Sequence, residues 1–385
     1  MKIKMERTYG CLFPCAIFIV LNIPSIKIIH SSEIINMAAI SLVWGVGLLR
    51  VIFRRKSQLK LSKYRLIFLF LFSCMWMVLL LFTIFHNSPG FSMRNLFQFT
   101  VTYLLVVGAL IFVEKKDLKQ VLYLQVLWST ALSIGNYFEL ISLERDLGQH
   151  YLTLGMPIAA GLIVTICLII FMHNHLKSRL LFLILLLIQL IGVTSLNGRA
   201  PVLLSIIVPS ILLILTLMVE RNITKKVKLL FAILIVIPML VLIIFNNLSE
   251  TLTRRLEGGI QDEDRSRLLN DALNLFTDNI LGYGINGTVN VGIDYPHNIF
   301  LEVALAGGII ALLFFILLCL FVLQALFKSV KLKSYYIGIG ALATFFFLTW
   351  NISFNLSAAY VPFTALAVLI VVNEDDWPIV NKKVS

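Results

Sequence analysis

Charge is scarce in this chain. Asp, Glu, Lys and Arg make up 14% of its 385 residues, where an ordinary soluble domain carries about 25%. The acidic sign is the scarcer, with 20 residues against 32 Lys and Arg, for a formal net charge of +12. This composition excludes an ordinary soluble enzyme, and a hydrophobic content of 59% excludes a disordered chain. Glycine, at 21 residues, is too rare for a collagen-like repeat. Cysteine is limited to Cys11, Cys15, Cys74, Cys167 and Cys319, all inside apolar runs and with no CxxC pair. A disulfide framework is thereby excluded, and the five read as small apolar packing residues. Low-complexity segments and repeats at solenoid periods are lacking as well.

What the chain has instead is long apolar runs. The mean hydropathy is +0.94, and the runs approach the twenty residues needed to cross about 30 Å of hydrocarbon. The fold class expected is an all-α polytopic membrane protein with about 12 transmembrane helices, at 11–29, 34–53, 66–85, 96–113, 121–141, 151–172, 180–196, 201–219, 229–247, 297–326, 336–354 and 357–372. Lys2, Lys4 and Arg7 precede the first run as in a signal peptide. No small-residue cleavage site follows, so the first span is read as uncleaved.

Orientation follows from the basic residues. With the N-terminus inside, 24 of the 32 Lys and Arg fall on the cytoplasmic side, as the positive-inside bias requires. They gather in Arg54–Arg65, Glu114–Gln120, His173–Arg179, Glu220–Lys228 and Phe327–Lys333, each at an even-numbered connection. Both termini are then cytoplasmic. The net charge is a topology signal, and no nucleic-acid partner is implied, because the basic residues are spread over separate short loops.

The expected organisation is 1–247 as helices 1–9, 248–296 as one large extracytoplasmic loop capping the bundle, and 297–385 as helices 10–12 with a cytoplasmic tail. Within the loop, Leu268, Leu269, Ala272, Leu273, Leu275 and Phe276 mark one face of an amphipathic helix from about Arg265 to Asn279. The turn residues of Leu281-Gly-Tyr-Gly284 end it.

The spans are nearly free of charge at mid-depth, where transporters and pumps keep ionisable residues. Unusual charges gather at outer helix ends instead: Arg199, Arg265, Arg267, His297 and Glu302. Arg199 sits in Ser195-Leu-Asn-Gly-Arg-Ala-Pro201, where Gly198 bends the chain and Pro201 can open the next helix at its first position. A guanidinium there stands beside a helix N-terminus that favours an anion; the alternative is an arginine snorkelling to headgroups. Arg265 and Arg267 open the loop helix. Arg267, next to the apolar face, is expected to point into the bundle, while Arg265 can equally pair with Asp262, Glu263 and Asp264 in a solvated patch. A planar guanidinium fork suits a diphosphate. His297 lies in Asp294-Tyr-Pro-His-Asn-Ile-Phe, with Pro296 expected in the first turn. A helix N-terminus keeps the ring neutral and able to take a proton, with Asp294 placed to orient it; an ordinary interfacial histidine is the alternative. His173 and His175 lack the neighbouring carboxylates of a metal site.

Three elements together resemble a family. Thr194-Ser-Leu-Asn-Gly-Arg-Ala-Pro201 looks like the Ser/Thr-x-Arg-Gly/Ala element of the O-antigen ligase and polysaccharide polymerase superfamily, departing from it in Asn197-Gly198 before the arginine and Ala200 after it. Arg267-Leu-Leu-Asn-Asp-Ala-Leu-Asn-Leu-Phe276 followed by Leu281-Gly-Tyr-Gly284 resembles its loop helix and glycine turn. His297-Asn-Ile-Phe-Leu-Glu-Val-Ala-Leu-Ala-Gly-Gly308 resembles the opening of its next span. The specific likeness covers about 194–310.

The resemblance implies a class C glycosyltransferase-like fold in the bacterial cytoplasmic membrane with an extracytoplasmic active site. It implies a metal-independent inverting enzyme without cofactor. The partners implied are an undecaprenyl-diphosphate-linked oligosaccharide donor, a glycan acceptor, membrane lipids, a flippase and a chain-length regulator. Arg199 and Arg267 would bind the diphosphate and stabilise its developing charge. His297 would take the acceptor hydroxyl's proton or position that hydroxyl. Arg265, Asp294 and Glu302 are supporting candidates. A polymerase is favoured over a ligase acting on lipid A-core or a wall acceptor, because nothing marks a lipopolysaccharide acceptor. A lipid-linked oligosaccharide flippase is the alternative from another class.

Overall fold

In hydrocarbon every backbone amide must find its partner within the protein, which leaves helices or closed barrels as spanning structures. The sequence forms helices. The computed structural model describes residues 2–28, 34–53, 61–86, 88, 91–141, 151–171, 176–196, 198–248, 253, 263–289, 292–293, 296–353, 356 and 359–374. Thirteen α-helices lie among them: α1 (Lys2–Ile26), α2 (Ile34–Phe53), α3 (Lys63–Phe85), α4 (Met93–Phe112), α5 (Lys115–Tyr137), α6 (Tyr151–Phe171), α7 (Leu176–Thr194), α8 (Arg199–Val219), α9 (Ile223–Asn246), α10 (Glu263–Asp278), α11 (Ile299–Leu332), α12 (Tyr335–Ser353) and α13 (Tyr360–Ile370). A helix stands at each of the twelve predicted apolar runs, and α10 is the amphipathic helix of the loop. Eight of these helices are long and apolar enough to cross a membrane: α2, α3, α4, α6, α7, α8, α9 and α11.

α13, of 11 residues, shows why length alone misjudges an encased segment. α13 is buried along its whole length, among α1, α3, α4, α11 and α12. Its neighbours, rather than lipid, satisfy its surface. Phe363 of α13 meets Phe72, Trp76 and Trp350 edge-on, and Trp76 stacks on Phe99 at 3.9 Å between ring centroids. These aromatic rings form the centre of the core.

Without a hydrophobic driving force between helices in lipid, small residues and interhelical hydrogen bonds decide which faces meet. α5 supplies such a seam. Gln125, Ser129 and Ser133 recur at four-residue spacing and are fully buried. Asn22 donates to Gln125 Oε1 at 2.7 Å, Gln125 Nε2 donates to the Pro157 carbonyl at 3.2 Å, and Ser129 Oγ to that of Ile158 at 3.0 Å. A Cβ on Gly161 would lie 2.0 Å from Ser129 Cβ, so α5 and α6 approach closely only because that position is glycine.

At the end bearing the basic loops, α4 terminates against two buried arginines. Arg65 donates to the Leu110, Ile111 and Val113 carbonyls at 2.6, 3.0 and 2.6 Å, and Arg50 to that of Phe112 at 3.3 Å. These are the carbonyls that a helix end leaves unpaired. Arg50 forks onto Asp117 at 2.7 and 2.8 Å, and Arg65 onto Glu374 at 2.5 and 3.0 Å. A third pair, Lys333 with Glu220, joins the α8–α9 and α11–α12 connections. The Lys333 ammonium, and next the Asn222 backbone amide, hold the Glu220 carboxyl down at about 2. All three pairs join helix ends that the predicted topology assigns to one side.

Candidate functional site at the opposite end

α8 begins at Arg199 itself, with Gly198 in extended conformation as its N-cap. Pro201 therefore stands third in the helix, not first as the sequence suggests. Any first-turn amide lacks an intrahelical partner, so proline costs no hydrogen bond there. Pro201 packs over Gly155 of α6, where a Cβ would sit 3.0 Å from its Cγ. Arg199 is half-buried. The chain leading to it is tied to α5 by Asn136 Nδ2, which donates to Ser195 Oγ at 2.6 Å.

α10 lies on α11 through its apolar face. Ala272 is fully buried against Ile293 and Leu305, with Leu268, Leu275, Phe276, Tyr283 and Leu301 around them. Arg267 sits on the other side of the helix and is exposed, a correction to the expectation that it points into the bundle. The hundred-degree step from Leu268 carries it out. Arg265 belongs to the α10 backbone, but its side chain lies outside the described residues, as does Asp294.

The glycine turn does more than end α10. α11 is broken at Gly307 (φ −128°, ψ 16°) and Gly308 (φ 64°, ψ −166°); the second is a conformation essentially reserved for glycine. The break frees main-chain groups inside the bundle, and the turn takes them up. Tyr283 N–H donates to Leu305 O at 2.6 Å, Gly284 N–H to Ala306 O at 3.0 Å, and Ile309 N–H to Ile280 O at 3.0 Å. Gly282 (φ 86°) and Gly308 face each other so closely that a Cβ on Gly282 would lie 2.6 Å from the Gly308 nitrogen. The end of α3 and the segment after it hold the same turn, Ser88 Oγ donating to Tyr283 O and Thr83 Oγ1 accepting from Ile285 N–H, both at 2.9 Å. Tyr283 OH donates to Leu275 O at 3.0 Å. Desolvation, and next the Asp278 charge, raise its phenol above the ordinary tyrosine value.

His297 comes just before α11. Its φ is +51°, it is half-buried, and buried Pro296 precedes it outside the helix. Helical geometry begins only at Ile299, because Asn298 is the N-cap. Asn298 Oδ1 accepts from Phe300 and Leu301 N–H at 3.0 and 3.2 Å, and Asn351 Oδ1 accepts from Ile299 N–H at 3.0 Å. The first three helix amides are thus already satisfied. Glu302, one turn deeper, accepts from Leu356 N–H at 2.5 Å. It ties α11 to the segment before α13 and lines a small cavity with Asn286, Thr288 and Pro296.

α8, which begins at Arg199, and α10, which bears Arg267, each pack against α11, the helix that follows His297. Thr83, Ser88 and Asn351 had no motif to announce them. The paired Gly307-Gly308 in a Leu-rich run was a legible signal for the break.

No curated protein and no solved structure matches the chain. A family model described as O-antigen ligase does match residues 184–316, from the middle of α7 to beyond the break in α11. The stretch carrying Arg199, Arg267 and His297 is thus similar to that family, in keeping with the ligase and polysaccharide polymerase superfamily that its three motifs resemble.

Proposed function

We propose that the protein is a polysaccharide polymerase, joining undecaprenyl-diphosphate-linked repeat units on the outer face of the bacterial cytoplasmic membrane. The observation that carries this reading is the family-matched stretch, which holds Arg199, Arg267 and His297 and within which α8 and α10 each pack on α11. In this reading twelve helices cross the membrane, the basic end is cytoplasmic, and 248–296 caps the outer end.

The donor glycan is linked through its anomeric carbon to the lipid diphosphate. An acceptor sugar hydroxyl attacks that carbon from the face opposite the leaving group. The new C–O bond forms as the bond to the diphosphate breaks, which inverts the anomeric centre. Arg199 and Arg267 bind the diphosphate and stabilise the charge that grows on it, with no metal required. His297 takes the acceptor's proton as general base. Exposed Arg267 meets the diphosphate from the water side, and half-buried Arg199 from the bundle side. Arg265 and Asp294 are supporting candidates, whereas Glu302 acts through its bond to Leu356.

Deletion of the gene, followed by gel analysis of the surface glycan, tests the assignment. Single-repeat caps are expected. Lipid-linked polymer that never reaches its final anchor would make the protein a ligase acting on an acceptor such as lipid A-core. Loss of both products would indicate a flippase.

A further inference from the structure

α12 presents Phe347 and Asn351, one turn apart, to the start of α11. The Phe347 ring meets Phe300 edge-on at 6.5 Å, and Asn351 Oδ1 takes the Ile299 N–H at 3.0 Å. Ile299 is buried, 1% exposed, so water cannot easily replace that acceptor, and Asn298 Oδ1 is already engaged by the next two amides. Two residues before this bond stands His297, in the left-handed region at φ +51°. A non-glycine residue persists there only where its surroundings over-determine the backbone. Pro296 limits the chain before it, and the Asn298–Asn351 pair fixes the chain after it.

We propose that Asn351 is a positioning residue for His297, an inference that rests on the reading of His297 as the group serving the acceptor hydroxyl. α12 packs along both α8 and α11. A bond from α12 to the first amide of α11 therefore sets where the imidazole stands relative to Arg199 at the start of α8. The Glu302–Leu356 bond secures the same turn from below. Asn351 touches neither donor nor acceptor, and its effect passes through the Ile299 peptide.

The test is a kinetic split on the purified full chain, with an undecaprenyl-diphosphate-linked repeat unit as substrate. Misplacing a reacting group by about 1 Å can cost about 10²-fold. Asn351→Ala is therefore expected to lower kcat about 10- to 100-fold with the donor KM within about twofold. Asn351→Asp, which keeps the accepting oxygen, should recover to within about threefold of the parent. A merely structural role would move folded yield and KM, and Asp would not selectively restore kcat. Parent-like kcat in Asn351→Ala overturns the proposal, as does an Asn351→Asp protein that folds yet is as slow as Ala. If Ala does not fold, Asn351→Ser is judged by the same criteria. Should His297→Ala keep full activity, the functional reading falls and this inference with it. An inactive His297→Ala beside a normal Asn351→Ala removes the positioning role alone.

Discussion

At the basic end of the bundle, Arg50, Arg65 and Lys333 are each locked onto a carboxylate, and two of them also cap the last carbonyls of α4. The opposite end is held by a glycine turn on a broken helix, the Thr83 and Ser88 hydroxyls, two asparagine side chains and the Glu302–Leu356 bond. The difference teaches how to read an arginine in a membrane bundle. Where ion pairs hold helix ends together, removing a charge should cost folding. Where amides and glycines hold them, a charged side chain can be removed with the scaffold left standing. Arg199, Arg267 and His297 belong to the second end.

The largest expected effect is at His297. With an acceptor hydroxyl as a poor nucleophile, a positioned base contributes about 10²–10⁴-fold. His297→Ala and His297→Gln should each lose that much transfer at unchanged folded yield, read by turnover of the lipid-diphosphate substrate. Gln retaining most activity would leave the ring as a positioning group only. Charge-assisted bonds to a diphosphate are worth about 1.5–3 kcal/mol each. Arg199→Ala should thus fall roughly 10- to 100-fold, and exposed Arg267→Ala less. Lys at either position should rescue only in part, for want of the planar fork. Arginine variants that lose folded protein instead would break the contrast between the two ends.

The clasp itself comes next. A Cβ on Gly308 would lie 2.4 Å from Leu281 O, at a φ of +64°. Left-handed strain of about 1–2 kcal/mol adds to overpacking of about 1–3 kcal/mol. Gly308→Ala should therefore destabilise by about 3 kcal/mol, seen as a lower thermal-inactivation midpoint in detergent. Gly292 also has positive φ, but a Cβ there would meet nothing within 4 Å, so Gly292→Ala should show only the strain. Equal losses at both positions would mean that the close approach of α11 and the turn contributes nothing.

Arg65→Ala probes the basic end. It leaves Glu374 and three α4 carbonyls without their donor. Breaking a buried pair costs about 3–5 kcal/mol. The Glu374 side chain is 21% exposed, so the low end, about 3 kcal/mol, is expected. Activity per folded molecule should stay near that of the parent. A large fall in turnover at full stability would place the basic end in the reaction path.

Much of this architecture was legible because lipid imposes one rule on every span: twenty apolar residues and internal backbone pairing. The twelve apolar runs and the amphipathic face of α10 follow from it. What escaped depended on neighbours remote in sequence. Asn351 matters because residue 299 is nearby, and Thr83 because residue 285 is; neither carries a local pattern. Pro201 sits third in its helix because a first turn tolerates proline anywhere, and Pro296 stands ahead of the Asn298 N-cap, so the residue type does not mark the start. Adjacency to Leu268 suggests an inward Arg267, although one helical step turns the side chain by about 100°.

The smallest effect separates the ends by pH. The folded state holds the Glu220 carboxyl near 2, below its ordinary 4.5, chiefly through the Lys333 ammonium. Between those values the unfolded chain binds the proton more readily than the folded one, so stability rises with pH across that window. The pair's contribution is complete above about pH 4.5 and is lost as pH falls towards 2. It joins two connections at the rim, where solvent screening keeps such pairs weak, so a shallow slope is expected. Lys333→Met should flatten that slope in thermal inactivation measured between pH 5 and pH 3 while leaving stability near neutrality only slightly lower. His297→Ala, at the other end, should leave the slope as it is. If Lys333→Met keeps the full acid-side slope, the titrating carboxylate is another one, and the Glu220 pair does not hold the α8–α9 and α11–α12 connections together.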